Sequence, residues 1–466
     1  MTLSLSQSSV SRVALLMAVA ALAACSDDPP PAGNDAGVDA NVLVDGGADA
    51  GGDASTAQSI AAIASANPDF SMLVAAATRA SLVTLLDSPG NYTVFAPTNA
   101  AFTASGITME MINTMPTAQL TGILSYHALD SVVPSTAITA GPVDTLSTFS
   151  IILGTTGGVT INGGNSVAGG ANVVTADIAA SNGIIHVIDR VLMPPTVADL
   201  ARYAGLTSLH DAVVAAALDD ELSATGPFTV FAPTNAAFAE LSAVPTGEAL
   251  VNVLLYHVVS GSVASSAVPA KAASLSMNQY GDPLTLLFNT ASGVSINGSV
   301  NVVIADVHAT NGIVHVVDEV LLPMNVVDAA TAAGLTGLLG AVTAASEISA
   351  GVSVADALGA QAPYTVFAPT NAAFTAIEST LSTLTADQVR DVLLYHVLDT
   401  TAFPAPVLAA DLPATVTDLQ TLLGPDASFD PTVTPPTIDG AQIVTTDIIV
   451  TNGVVHVVGS VLLPPS

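Results

Sequence analysis

The chain has six cationic residues against 38 acids, and only one of the six is a lysine. The formal net charge of −32 leaves no basic patch for nucleic acid or for an anionic lipid surface. Its one cysteine, Cys25, excludes disulfides and thiolate chemistry from everything that follows. Tryptophan is absent. Beyond residue 24 there is no apolar run of about eighteen residues, the length a membrane-spanning helix needs, so the body is expected to be soluble. Its surface should carry small side chains and, apart from Asp, few charges. Catalytic signatures are missing too. There is no Gly-x-Ser-x-Gly elbow, no His-Glu-x-x-His and no Cys/His zinc spacing, and Lys271 follows no phosphate loop. The chain therefore reads as a non-enzyme without cofactor or metal.

What the sequence does contain is repetition. The decapeptide TVFAPTNAAF begins at Thr93, Thr229 and Thr365, unchanged and 136 residues apart each time. That interval exceeds the period of a stacked solenoid, so each copy is a whole domain. Other landmarks recur in order: Tyr126-His127, Tyr256-His257 and Tyr395-His396, then an Asn-Gly step at Asn182, Asn311 and Asn452, then a closing Pro194, Pro323 or Pro464. The expected domains are 58–195, 196–324 and 325–466.

Residues 1–24 read as a targeting segment, a polar start followed by an apolar run from Val13 to Ala24 too short to span a bilayer. The run ends in Leu22-Ala23-Ala24-Cys25, which resembles a bacterial lipobox. Cys25 is the expected lipidation site, and Ser26 in place of Asp favours an outer-membrane, outward-facing or periplasmic location. Residues 25–57 follow as a disordered tether with seven aspartates and no Lys or Arg. Asp35, Asp39, Asp45, Asp49 and Asp53 form no calcium-loop pattern.

Within one module, Thr-Val-Phe-Ala reads as a buried strand ended by proline. The Thr-Asn that follows reads as a turn and helix N-cap. The helix before each Tyr-His carries an apolar stripe: Leu120, Ile123, Leu124 and His127; Leu250, Val253, Leu254 and His257; Val389, Val392, Leu393 and His396. Thr385 and Gln388 open the third as a capping box. The stripe puts each histidine on the buried face and each tyrosine on its flank. Asn-Gly reads as a tight hairpin in which both residues tolerate positive φ, with His186, His315 and His456 in the outgoing strand. Pairs of these imidazoles lack the further ligands of a metal site. His210 and His308 recur in no other copy and read as surface or incidental residues.

Together these residues resemble the fasciclin (FAS1) domain family, with TVFAPTNAAF as its first box, Tyr-His as its central motif and Asn-Gly-x-x-His-Val as its second. The resemblance implies an α+β fold, three tandem units that are each a small β-sandwich-like wedge with packed helices. It also implies adhesion or matrix contact, with a matrix protein or polysaccharide as partner. Carried over by position, the implied contact residues are Tyr126, His127, Asp177, Ile178, Tyr256, His257, Tyr395, His396, Asp447 and Ile448. The second copy departs with Asp306-Val307. The third departs with Gly459-Ser460 and with Pro-rich stretches at Pro404–Pro406 and Pro425–Pro436, where its outer loops should differ. The alternative function is a small-ligand protein of the envelope, which an apolar pocket in one domain without counterparts would favour. An unfamiliar hydrolase ranks third and would need converging polar groups with shifted pKa values.

Overall fold

The computed structural model describes residues 57–346 and 354–465. The targeting segment, Cys25 and all but the last residue of the tether lie outside the described residues.

Each decapeptide begins as the predicted strand, Tyr92–Pro97, Phe228–Pro233 and Tyr364–Pro369. Its partner is the outgoing hairpin strand of the second motif, Gly183–Ile188, Gly312–Val317 and Gly453–Val458. The two run parallel, with Phe95 opposite His186, Phe231 opposite His315 and Phe367 opposite His456. The two most alike stretches of the chain are thus hydrogen-bonded neighbours in each sheet, and both are buried on two faces. In the first domain Val94 and Ala96 enter a core against the helices, while Phe95 enters a second core inside the sheet. The alternation of a strand therefore builds the two-layered wedge.

The first domain's sheet has seven strands, antiparallel apart from that central pair. In the second domain the sheet closes into a barrel through pairing of Ser274 with Val259. The third has six strands, and only isolated bridges at Val397 and Leu398 stand where the others have a short strand after Tyr-His. Residues 399–416 run there without helix or strand, in keeping with the proline-rich departure of that copy.

The helices lie on one side. Ile60–Ala66, Val197–Tyr203 and Val326–Ala332 open the three domains. The backbone just before each meets the hairpin turn at the far end of the same domain, as Ser181, Thr310 and Thr451 N–H donate to the carbonyls of Gln58, Pro195 and Met324.

Consecutive domains meet in one way. The long incoming hairpin strand of the later domain lies on the outer strand pair of the earlier one. At the first joint His308 N–H donates to Ser150 Oγ at 2.9 Å; at the second Ile449 N–H donates to Thr285 Oγ1 at 2.9 Å. Ile152 packs against the second domain's core and Leu287 against the third's, two residues beyond each hydroxyl. His308, read from sequence as incidental, is a joint residue whose ring also lies 3.3 Å from Asp144.

Candidate functional site

The motif residues were the candidates for function, and the fold uses nearly all of them internally. Thr98, Thr234 and Thr370 cap their helices as predicted, accepting from Ala101, Ala237 and Ala373 N–H at 3.1–3.2 Å. The adjacent asparagine does more than turn the chain. Asn99 Oδ1 accepts from Met72 N–H at 2.9 Å, and its Nδ2 donates to Pro68 O at 3.0 Å. Asn235 and Asn371 repeat both bonds.

Each histidine of the Tyr-His pair is buried, as its stripe predicts. His127 Nδ1–H donates to Ile123 O at 2.8 Å, and Nε2 accepts from Leu192 N–H at 3.0 Å. His257 bonds Val253 O and Leu321 N, and His396 bonds Val392 O and Leu462 N. Burial pushes all three down to about 4, and the Asp439 carboxylate near His396 does not offset it. A neutral imidazole with both nitrogens occupied has no proton to exchange with a substrate.

The tyrosine is not on the flank. Tyr126, Tyr256 and Tyr395 are among the most buried side chains, because the helix ends there and the ring swings into the sheet-side core. Tyr126 Oη donates to Ser150 O at 3.0 Å and accepts from Asn162 Nδ2 at 3.1 Å. Asn297 does the same for Tyr256. In the third domain Asp439 replaces that asparagine and accepts from Tyr395 Oη at 2.6 Å. The phenols are driven well above their usual range by burial. Neither member of a Tyr-His pair offers surface to a partner.

The hairpin exists, but its turn is Ser181-Asn182 and its glycine has another purpose. A Cβ on Gly183 would lie 2.0 Å from Tyr92 O, and one on Gly312 2.1 Å from Phe228 O, so glycine is required by the closeness of the parallel strand. None of the three asparagines has positive φ. Asn182 instead clamps three segments: Oδ1 accepts from Ile60 N–H at 2.9 Å, and Nδ2 donates to Leu86 O and Ser88 O at 2.8 and 2.9 Å. Asn311 and Asn452 clamp the same way.

Asp177, Asp306 and Asp447 occupy a bulge at φ of 61, 57 and 55°. The backbone N–H of each donates to Nδ1 of the strand histidine, His186, His315 or His456, whose Nε2–H donates to a loop carbonyl. The Asp177 carboxylate accepts from Ser135 N–H at 2.8 Å and from its hydroxyl, which holds it below the usual carboxylate range. Asp177 is exposed and Ile178 half-buried, whereas Asp447 is half-buried and Ile448 buried against the preceding domain. The bulge is therefore fully open only in the first domain.

Beneath the opening helices, a small apolar cavity recurs in all three domains. It holds about 60 Å³ in the first, among Ile60, Leu73, Leu86 and Phe95, and about 30 Å³ in each of the others. Its apolar walls offer water few partners, and because it recurs it is not the single-domain pocket that a small-ligand reading called for; a wider open cleft of about 350 Å³ lies among Asn297, Glu319, Leu322, Asp328 and Thr331. Among the described residues no group of three His, Cys, Asp or Glu side chains could hold a metal.

What remains open to a partner recurs as well. Val174, Val303 and Val444 stand at the same position, three residues before the bulge aspartate, and are 59, 54 and 51% exposed. Met193, Leu322 and Leu463, each just before or near the closing proline, are the second such set. Sequence reading passed over both, although a valine kept in all three copies of a strand was the available signal.

The family profile described as Fasciclin domain matches residues 68–194, 204–323 and 340–464. Transforming growth factor-beta-induced protein ig-h3 of Oryctolagus cuniculus is 29% identical over 410 residues, covering 85% of this chain and 56% of that protein. Periostin of Homo sapiens is 26% identical over 415 residues, covering 86% and 46%. The chain thus spans about half the length of these curated relatives. Immunogenic protein MPB70 of Mycobacterium bovis is 36% identical over 143 residues, 29% of this chain and 69% of that one. Among solved structures, a FAS1 domain pair from the insect cell adhesion molecule Fasciclin I shares 21% identity, covering 54% of this chain and 95% of that one, with a TM-score of 0.34.

Proposed function

Because the chain belongs to the fasciclin family, with three of its domains in tandem, we propose that it is a non-enzymatic adhesion protein of the cell surface. It is held by a lipid on Cys25 at the outer membrane and binds matrix protein or polysaccharide. The observation that carries the reading is the exposed valine at one position of all three domains, Val174, Val303 and Val444. A valine left half in water suits its strand but buries little apolar surface, so its recurrence at one position points outward. Three such sites on one chain turn weak contacts into avidity when they engage together. The neutral, doubly bonded histidines agree with binding rather than proton-transfer chemistry. Asp177 and Ile178 extend the contact in the first domain, where the bulge is open.

The test is binding of the fluorescent mature chain to cells and stripped matrix of the organism that makes it, before and after protein or polysaccharide digestion. Saturable binding should fall severalfold with Val174→Asp alone and by far more with all three valines changed. The digestion that removes binding identifies the partner's class. Binding unaffected by the triple change would overturn the valine surface. No binding at all would overturn the adhesive role.

A further inference from the structure

The joint that links domain to domain is used twice, and among the described residues one half of it is left uncovered on the first domain and the other on the third. One half is the outer strand pair that presents a hydroxyl and an apolar side chain two residues on: Ser150 and Ile152, then Thr285 and Leu287. The register of the strands and the tyrosine hydrogen bonds align these positions. Tyr126 and Tyr256 donate to the carbonyls of Ser150 and Thr285, and Tyr395 Oη lies at the corresponding place, 3.0 Å from the carbonyl of Asp426. The third domain therefore has Asp426 where the others have a hydroxyl, and Ser428 where they have Ile152 and Leu287. Ser150 and Thr285 are buried by the following domain, whereas Asp426 is exposed, as are Asp418 and Gln420 on the strand beside it.

The other half is the incoming hairpin strand. His308 and Ile449 give their backbone N–H to the hydroxyl of the domain before them. The equivalent residue of the first domain is Ala179, which is exposed. On either side of it Ile178 and Ala180 are half-buried, while their counterparts Val307, Ala309, Ile448 and Val450 are buried. The first domain thus keeps a joint face that no other described residue covers.

We propose that these two end faces would join one copy of this chain to the next just as its domains are joined, and that Asp426, with Ser428, is what prevents it. At the second joint the Thr285 hydroxyl accepts from Ile449 N–H and faces the carbonyl of Asp447 at 3.4 Å, to which it can donate. A carboxylate can accept but cannot donate, so Asp426 would turn a negative oxygen on the Asp177 carbonyl and lose its water in doing so. Ser428 supplies no apolar side chain to compensate. A head-to-tail interface that does not close on itself propagates without limit, and a repeat array needs an end that refuses the next unit.

The experiment compares the sedimentation of the full described body, as the complete chain without its lipid, with the variant Asp426→Thr/Ser428→Leu. The wild type should sediment as a single species at all concentrations. The double variant should self-associate at least about tenfold more tightly, in species that lengthen with concentration. Adding Ala179→Asp to the double variant should return it to the wild-type value. Both changed positions lie at the surface, and an unaltered melting temperature verifies the fold. A folded double variant that stays at the wild-type value overturns the proposal, as does a wild type that associates equally well, or association indifferent to Ala179→Asp.

Discussion

The two joints share a hydrogen bond and an apolar side chain two residues beyond it, and differ in the groups that surround them. At the first, the hydroxyl bond of Ser150 is accompanied by an imidazole beside a carboxylate, His308 and Asp144, both substantially exposed. At the second, Lys271 Nζ donates to the carbonyls of Thr446 and Asp447. There Ile449 and Val454 of the third domain also share a core cluster with Phe231, Leu284 and Leu286 of the second. Geometry is therefore set by a backbone N–H meeting a hydroxyl. Strength is set by how much apolar surface closes behind it, and the second joint should be the stiffer.

The interiors provide the common background for testing that difference. His127, His257 and His396 sit at about 4 when folded, below the ordinary value near 6.5. Between those values the unfolded chain binds protons that the folded chain refuses. Their contribution is complete above about pH 6.5 and drains away as pH falls towards 4, by roughly 3 kcal/mol for each buried imidazole. Calorimetry across that range should show all three domains losing stability together, and a domain that melts out early reports its joint. Next in size, Leu287→Asp should cost about 2–3 kcal/mol of coupling between the second and third domains. Ile152→Asp should cost less at the first joint. The readout is how far each pair's unfolding transitions separate. Equal separations would erase the comparison.

Thr285→Val strands the buried Ile449 N–H and should cost about 1–2 kcal/mol, whereas Ser150→Ala strands a His308 N–H that water can reach and should cost less. The smallest effects come from the polar side chains beside each joint. Lys271→Met should weaken the second joint by about 1 kcal/mol, and His308→Gln should move the first by under about 0.5 kcal/mol.

Much of the module was legible because its signals are local and repeated. The strand ended by Pro97, the cap at Thr98 and the stripe ending in His127 each follow from residues within one turn or one strand. The errors came where a residue's partner lies far along the chain. Asn182 invited a turn explanation because Asn-Gly is a turn dipeptide, yet its amide is consumed by Ile60, Leu86 and Ser88, about a hundred residues earlier. Helical periodicity put Tyr126 on the flank, since periodicity does not say that the helix stops there. Asp177 entered only as an implied contact residue, and nothing local to it announced the bulge and positive φ that it adopts. The joints were least legible. Ser150, Thr285 and Asp426 do not look like one position until strand register aligns them, and His308 seemed incidental because it occurs once.

The clamp at Asn182 bears on how the protein would carry load. It ties the first helical residue, Ile60, to the turn of the last hairpin, so the point where the chain enters the domain is fastened to the element through which it leaves. Tension arriving along the polypeptide at residue 58 passes directly into the hairpin that begins at Gly183 and on towards the next domain. The helices stand beside this route rather than along it. Asn311 and Asn452 repeat the fastening, giving the stack a continuous tensile spine of hairpins with the helical cores hung off its side.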